Sequence, residues 1–159
     1  MNEIIDEIDE VFVPDENTPE IYVEFSIWGE QDISVGIDKI AELINIPTAE
    51  IMKIGDKTRY FKNRLLRFDC WQIKTEERQT YEIEEEIKKL IVLLQDKKEI
   101  INYIHDNFNH ISIGFCVIVT VNNGRSPFFR LSKETLQFMS DIRAYFDIDL
   151  YVNSWNGDD

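Results

Sequence analysis

The stretch YVEFSIWGE (22–30), continued by GIDKIAELINIPTAEIMKIGDKTR (36–59) and LRFDCWQIKT (66–75), decides the fold. Ile21, Val23, Phe25 and Ile27 alternate with Tyr22, Glu24, Ser26 and Trp28, the period of two of a half-buried strand that Gly29 ends. Ile37, Ile40, Ala41 and Ile44 then follow helical spacing, with Asp32 or Ser34 as the candidate N-cap. Pro47 stops this helix, because the residue before a proline is pushed out of the α region. Residues 50–54 read as a short strand closed by the Gly55-Asp56 turn. Leu65–Thr75 is the next strand, with Leu66, Phe68 and Cys70 assigned to the core side and Arg67, Asp69 and Trp71 to the other.

Working outward, Ile83, Ile87, Leu90, Ile91 and Leu94 form one apolar helical stripe. Ile100, Ile101, Ile104 and Phe108 continue it, as a second helix or beyond a kink, and Asp96 and Glu99 have the spacing of a capping box. Ile111 to Val121 alternates as a long strand. Asn122-Asn123-Gly124 suits a hairpin turn with positive φ, and Phe128–Leu131 would be its return strand. Ser132 caps a helix carrying Leu136, Met139, Ile142 and Phe146. A last strand, Asp147–Val152, turns Ile148, Leu150 and Val152 inward. The order β-α-β-β-α(α)-β-β-α-β predicts an α+β fold: an antiparallel or mixed sheet with helices packed on it, ferredoxin-like or pseudo-duplicated. Residues 21–153 form its single domain, between an acidic arm (1–20) and a frayed tail (154–159).

The chain has 159 residues, 43% of them hydrophobic and 12% aromatic, enough to fill one core. Its longest apolar runs, such as IVLL (91–94) and FCVIV (115–119), fall far short of the roughly 20 residues a membrane helix needs. The start MNEIIDEIDEVF has neither the basic-then-apolar character of a secretory signal nor the arginines of a transit peptide, so a cytoplasmic location is expected. Cys70 and Cys116 make no disulfide framework and read as reduced core thiols. The net charge of −14 is uneven: residues 1–20 hold eight acids and no base. Between Lys53 and Arg67 the sign reverses, and this stretch is a candidate partner for the arm.

No motif carries catalysis. His105 and His110 are the only histidines, and their spacing of five does not put both on one helical face. Gly55-Asp56-Lys57-Thr58 lacks the upstream glycine of a phosphate loop, and Asp56 intrudes. There is no G-x-S-x-G. Acid runs such as Glu84-Glu85-Glu86 read as solvated helix faces. No catalytic residue, metal ligand or cofactor is therefore assigned.

The pieces FSIWGE (25–30), LINIPT (43–48), KIGDKTR (53–59), FDCWQIKT (68–75) and LSKETLQFMSDIRAYFDIDLYV (131–152) give the chain a recognisable order. It resembles the bacterial family known as domain of unknown function 4279. Gly29, Pro47, Thr48, Gly55, Trp71 and Tyr151 sit at the family's signature positions. The resemblance implies an α+β fold and a bacterial or phage source, and it supplies no catalytic residue. Some members look like partners or antagonists of secreted toxins.

Two surfaces are candidates for function. One is a sheet face presenting Tyr22, Glu24 and Trp28 beside Arg67, Asp69 and Trp71, residue types that anchor interfaces. The other is the anion-binding stretch Lys53, Lys57, Arg59, Lys62 and Arg64, with Tyr60 and Phe61 among them. The acidity of the whole chain disfavours nucleic acid and favours a basic protein partner. The expectation is a non-enzymatic protein-binding module, of the immunity type that neutralises a basic toxin. The alternative is a small-molecule-binding or enzymatic domain with a pocket at the sheet.

Overall fold

The computed structural model describes residues 12–58, 63–123 and 125–153. Most of the acidic arm, the centre of the basic stretch, Gly124 and the tail lie outside the described residues. β1 (Glu20–Gly29) is the central strand. It pairs antiparallel with β3 (Cys70–Lys74) on one side and with β5 (Ile111–Val121) on the other. β2 (Glu50–Met52) extends the sheet beyond β3, and the two-residue β4 (Arg78–Gln79) pairs with the start of β1. β6 (Tyr145–Val152) runs parallel to β5 at the far edge, so the sheet is mixed and the fold α+β.

Four helices supply the second layer: α1 (Ile37–Ile44), α2 (Ile83–Leu94), α3 (Lys98–Asn107) and α4 (Lys133–Asp141). Their buried residues, among them Ile40, Ile87, Leu94, Ile101 and Phe138, form one core with Ile21, Val23, Phe25 and Ile27 of β1. Ile113, Phe115, Val117, Val119 and Val121 of β5 join the same cluster. All of these strand residues belong to one face, so the helices cover one side of the sheet and leave the other to solvent and loops. No helix among the described residues is long and apolar enough to cross a membrane.

Local chemistry explains most boundaries. Asn45 ends α1 in the left-handed region, two residues before Pro47. Gly55 takes φ 91° in the expected turn, where the Asp56 carboxylate accepts the Lys53 N–H at 2.7 Å. α2 and α3 are two helices joined by a 3₁₀ turn at Gln95–Lys97. Ser132 caps α4 by accepting the Thr135 N–H.

Several expectations are corrected. The N-cap of α1 is Gly36 in the left-handed conformation; Asp32 pairs instead with Arg67, and Ser34 with Asp69. Asp96 caps nothing, because the N-cap of α3 is Lys97. Residues 128–131 form no strand: β1 and β6 occupy both edges of β5, which leaves a return strand no edge to pair with. Leu136 is exposed, and Phe138 and Met139 carry the buried side of α4. Ile148, Leu150 and Val152 are 38%, 50% and 63% exposed, because the helical layer does not reach over the edge strand.

Two carboxylates tie separate segments together. Asp69 is only 3% exposed and accepts hydrogen bonds from Ser34 Oγ, Val35 N–H and Ile54 N–H, each at 3.0 Å. Burial works against its charge, but these donors and Lys53 outweigh burial and hold it below the usual carboxylate range. Glu84 of α2 accepts from Ser132 N–H at 2.7 Å and Thr135 Oγ1 at 2.6 Å, fastening α2 to the start of α4. Those hydrogen bonds bring its pKa down to about 2.

Asp69→Asn keeps one acceptor oxygen and turns an amide NH2 toward at least one of the three donors. It is expected to cost about 2 kcal/mol in urea unfolding and to speed hydrogen exchange at Val35 and Ile54. Glu84 has a folded pKa below its unfolded value, so its contribution is present above the usual carboxylate range and is lost as pH falls toward 2. Glu84→Gln is therefore expected to be about 1 kcal/mol less stable than wild type at neutral pH, with the gap closing between about pH 4 and pH 2.

Candidate functional site

The helix-free face of the sheet is not flat. Register stacks its side chains in rows that cross the strands. One row runs Lys74–Glu24–Cys116–Asp147, the next Glu50–Gln72–Ser26–Gly114–Tyr145, and the third Met52–Cys70–Trp28. Above one side stand the paired segments 55–58 and 64–66, joined by Leu66 N–H to Asp56 O and Thr58 N–H to Arg64 O. Together the floor and this wall enclose a groove of about 670 Å³, within the size range of small-ligand sites.

Three aromatic rings build one end. Trp28 meets Phe68 edge-on at 6.0 Å and Tyr145 at 6.5 Å between centroids. Trp28 Nε1–H donates to the Tyr145 hydroxyl at 2.6 Å, which fixes both rings. Tyr145 lies across Gly114: a Cβ there would stand 2.5 Å from the ring. The glycine is what lets β6 lay this ring onto its neighbour.

The charged part of the remaining lining is mostly acidic. Glu24, Glu50, Asp56, Asp147 and Asp149 face Lys57 and Lys74. Lys74 is engaged by Glu50 at 3.5 Å, and the Asp56 carboxylate by the Lys53 N–H. Glu24 sits in the middle of the floor. Burial raises its pKa; Lys74 opposes, and Asp149 and Glu50 add to the rise. The Cys70 thiol is pushed up to about 12 by burial and then by Glu24 and Glu50. Cys116 rises to about 11 through burial, Asp149, Glu24 and Asp147. Both thiols stay protonated at neutral pH and are weak nucleophiles.

The expected surface is divided by the structure. Tyr22, Glu24 and Trp28 do share the open face. Trp71 does not: it is 1% exposed, paired with Ile27 and packed edge-on against Phe25 at 6.3 Å in the core. Asp69 is buried in its hydrogen-bonded knot, and Arg67 is exposed and paired with Asp32, outside the groove's lining. The two faces of 66–71 are the reverse of those expected. Antiparallel register with β1 puts Trp71 on the side of Ile27, so Leu66, Phe68 and Cys70 line the groove.

Of the basic stretch, Lys53 pairs with Asp38 and Lys57 reaches the groove, while Arg59, Tyr60, Phe61 and Lys62 lie outside the described residues. His105 is half-buried beside the Ile142 carbonyl at 3.1 Å, with its pKa lowered by burial and Arg143. His110 is exposed next to Glu30. No group of three or more His, Cys, Asp or Glu side chains among the described residues is placed to hold a metal ion. Sequence reading missed Phe68, Tyr145, Asp147, Asp149 and the two cysteines as groove residues. The signal available was Gly114, a glycine inside an alternating strand, which marks a close approach by a neighbour.

Gly114→Ala forces Tyr145 away from β5. It is expected to destabilise the protein by about 1–3 kcal/mol in urea unfolding. The same change is expected to shift the Trp28 indole N–H resonance, because its acceptor moves.

No curated protein matches this chain, and no solved structure does. A family described as a domain of unknown function (DUF4279) matches residues 19–153. That span takes in every strand of the sheet, all four helices and all of the groove's lining. The chain belongs to the DUF4279 family.

Proposed function

We propose that this protein is a non-enzymatic binding module that receives a basic polypeptide on the open face of its sheet, as an immunity-type protein does when it neutralises a basic toxin. The observation that carries this reading is the groove, in which five carboxylates outnumber two lysines beside an aromatic wall. The net charge of −14 supports it, because an opposite-charge field speeds encounter and rejects anionic partners. The reading includes a cytoplasmic location, where the two cysteines stay reduced. The elevated thiol pKa values and the separate surroundings of His105 and His110 speak for contact rather than covalent chemistry.

The size of the groove favours a second reading, a small-molecule site on the same face. The two separate in solution. With an arginine-rich peptide as probe, the first reading expects saturable binding that weakens at least about tenfold between low salt and half-molar salt. A polyglutamate peptide of equal length is expected not to bind. Binding that is indifferent to salt, or no binding of the basic peptide, overturns it.

A further inference from the structure

We infer that the groove is a guanidinium-binding cleft: it takes the head of one arginine side chain from the partner, with Glu24 as its counter-ion. This deepens the binding-module reading and rests on it. The cavity is the starting observation, since its floor and wall form a concave site rather than a scatter of surface acids.

Glu24 is the group that asks for a guest. It is half-buried on the central strand, and among the described residues Lys74 acts on its carboxylate through charge, without a hydrogen bond. Its neighbour across the strands, Lys74, is drawn toward Glu50. Asp147 occupies the same row, so the centre of the floor holds more negative charge than it neutralises. Carboxylates desolvated in this way gain most from a donor that brings its own charge.

The aromatic end selects among cations. Trp28 is locked by its bond to Tyr145 and flanked by Phe68. A guanidinium is planar and weakly hydrated; it can donate two parallel hydrogen bonds to Glu24 while Tyr145, one row over on the same face, flanks the arginine side chain. An ammonium offers a compact, strongly hydrated charge and fits the ring less well. The groove therefore prefers arginine to lysine, and among the described residues of its lining an anion finds two lysines, Lys57 and Lys74, against five carboxylates.

Wild-type protein titrated with N-acetyl-arginine amide, followed by the Trp28 indole N–H resonance, tests this. Saturable binding in the millimolar range is expected for one such contact. N-acetyl-citrulline amide, which keeps the shape and loses the charge, is expected to bind at least about tenfold more weakly, and N-acetyl-lysine amide to fall between them. Glu24→Gln is expected to abolish the preference for arginine over citrulline. Equal binding of arginine and citrulline, or an unchanged preference in Glu24→Gln, overturns the cleft. If the capped arginine leaves Trp28 unmoved at about 10 mM while the arginine-rich peptide still binds, the cleft is wrong and the binding-module reading stands. If neither probe binds, both fall.

Discussion

The ten-residue ladder between β1 and β5, from Glu20↔Thr120 to Gly29↔Ile111, is the constraint on which the rest of the molecule depends. β1 has a neighbour on each side, so its phase fixes that of β3 and β5 together. Ile21, Val23, Phe25 and Ile27 are fully buried under the helices. A slip of one residue would exchange every one of them with Tyr22, Glu24, Ser26 and Trp28. The same ladder puts Glu24 beside Cys116, and β6 then brings Asp147 into line. Core and groove are thus two sides of one register, and neither can be altered without the other.

The asymmetry of the two faces follows from where the helices attach. α1 follows β1, α2 and α3 link β4 to β5, and α4 links β5 to the parallel β6. All of them contribute to a single hydrophobic cluster. Among the described residues, the opposite face is closed by the segments around Gly55 and Leu66, which the Asp69 carboxylate anchors through the Ile54 N–H. Asp69 also holds Ser34 and Val35 at the approach to α1. One buried acid therefore connects the wall of the groove to the helical layer, which makes the shape of the site depend on a residue that does not line it.

Much of this was legible in the residues. Strong alternation announced β1 and β5, helical spacing announced α2, and Ser132 and Gly55-Asp56 announced a cap and a turn. These signals are local, and local chemistry settles them. The side on which Trp71 falls was not legible, because a period of two has two phases and only pairing with β1 chooses between them. Asn122-Asn123-Gly124 promised a hairpin, but a turn sequence cannot know that β6 already fills the edge of β5. The groove was hidden for a related reason. Trp28, Phe68 and Tyr145 are spread over more than a hundred residues and meet only when β3 and β6 flank the central pair.

β6 is the last strand of the sheet, and its outer backbone edge has no partner strand among the described residues. On the helical side it shows Ile148, Leu150 and Val152 to solvent. Such an edge invites another strand and, with it, sheet-to-sheet growth. Asp147 and Asp149 stand on the opposite side of the same strand, so a second β6 laid alongside would bring like charges together. The acids that shape the groove thus also act as gatekeepers for colloidal behaviour. Neutralising them to study recognition exposes an adhesive seam, and loss of solubility in such variants is a property of the edge rather than of the site.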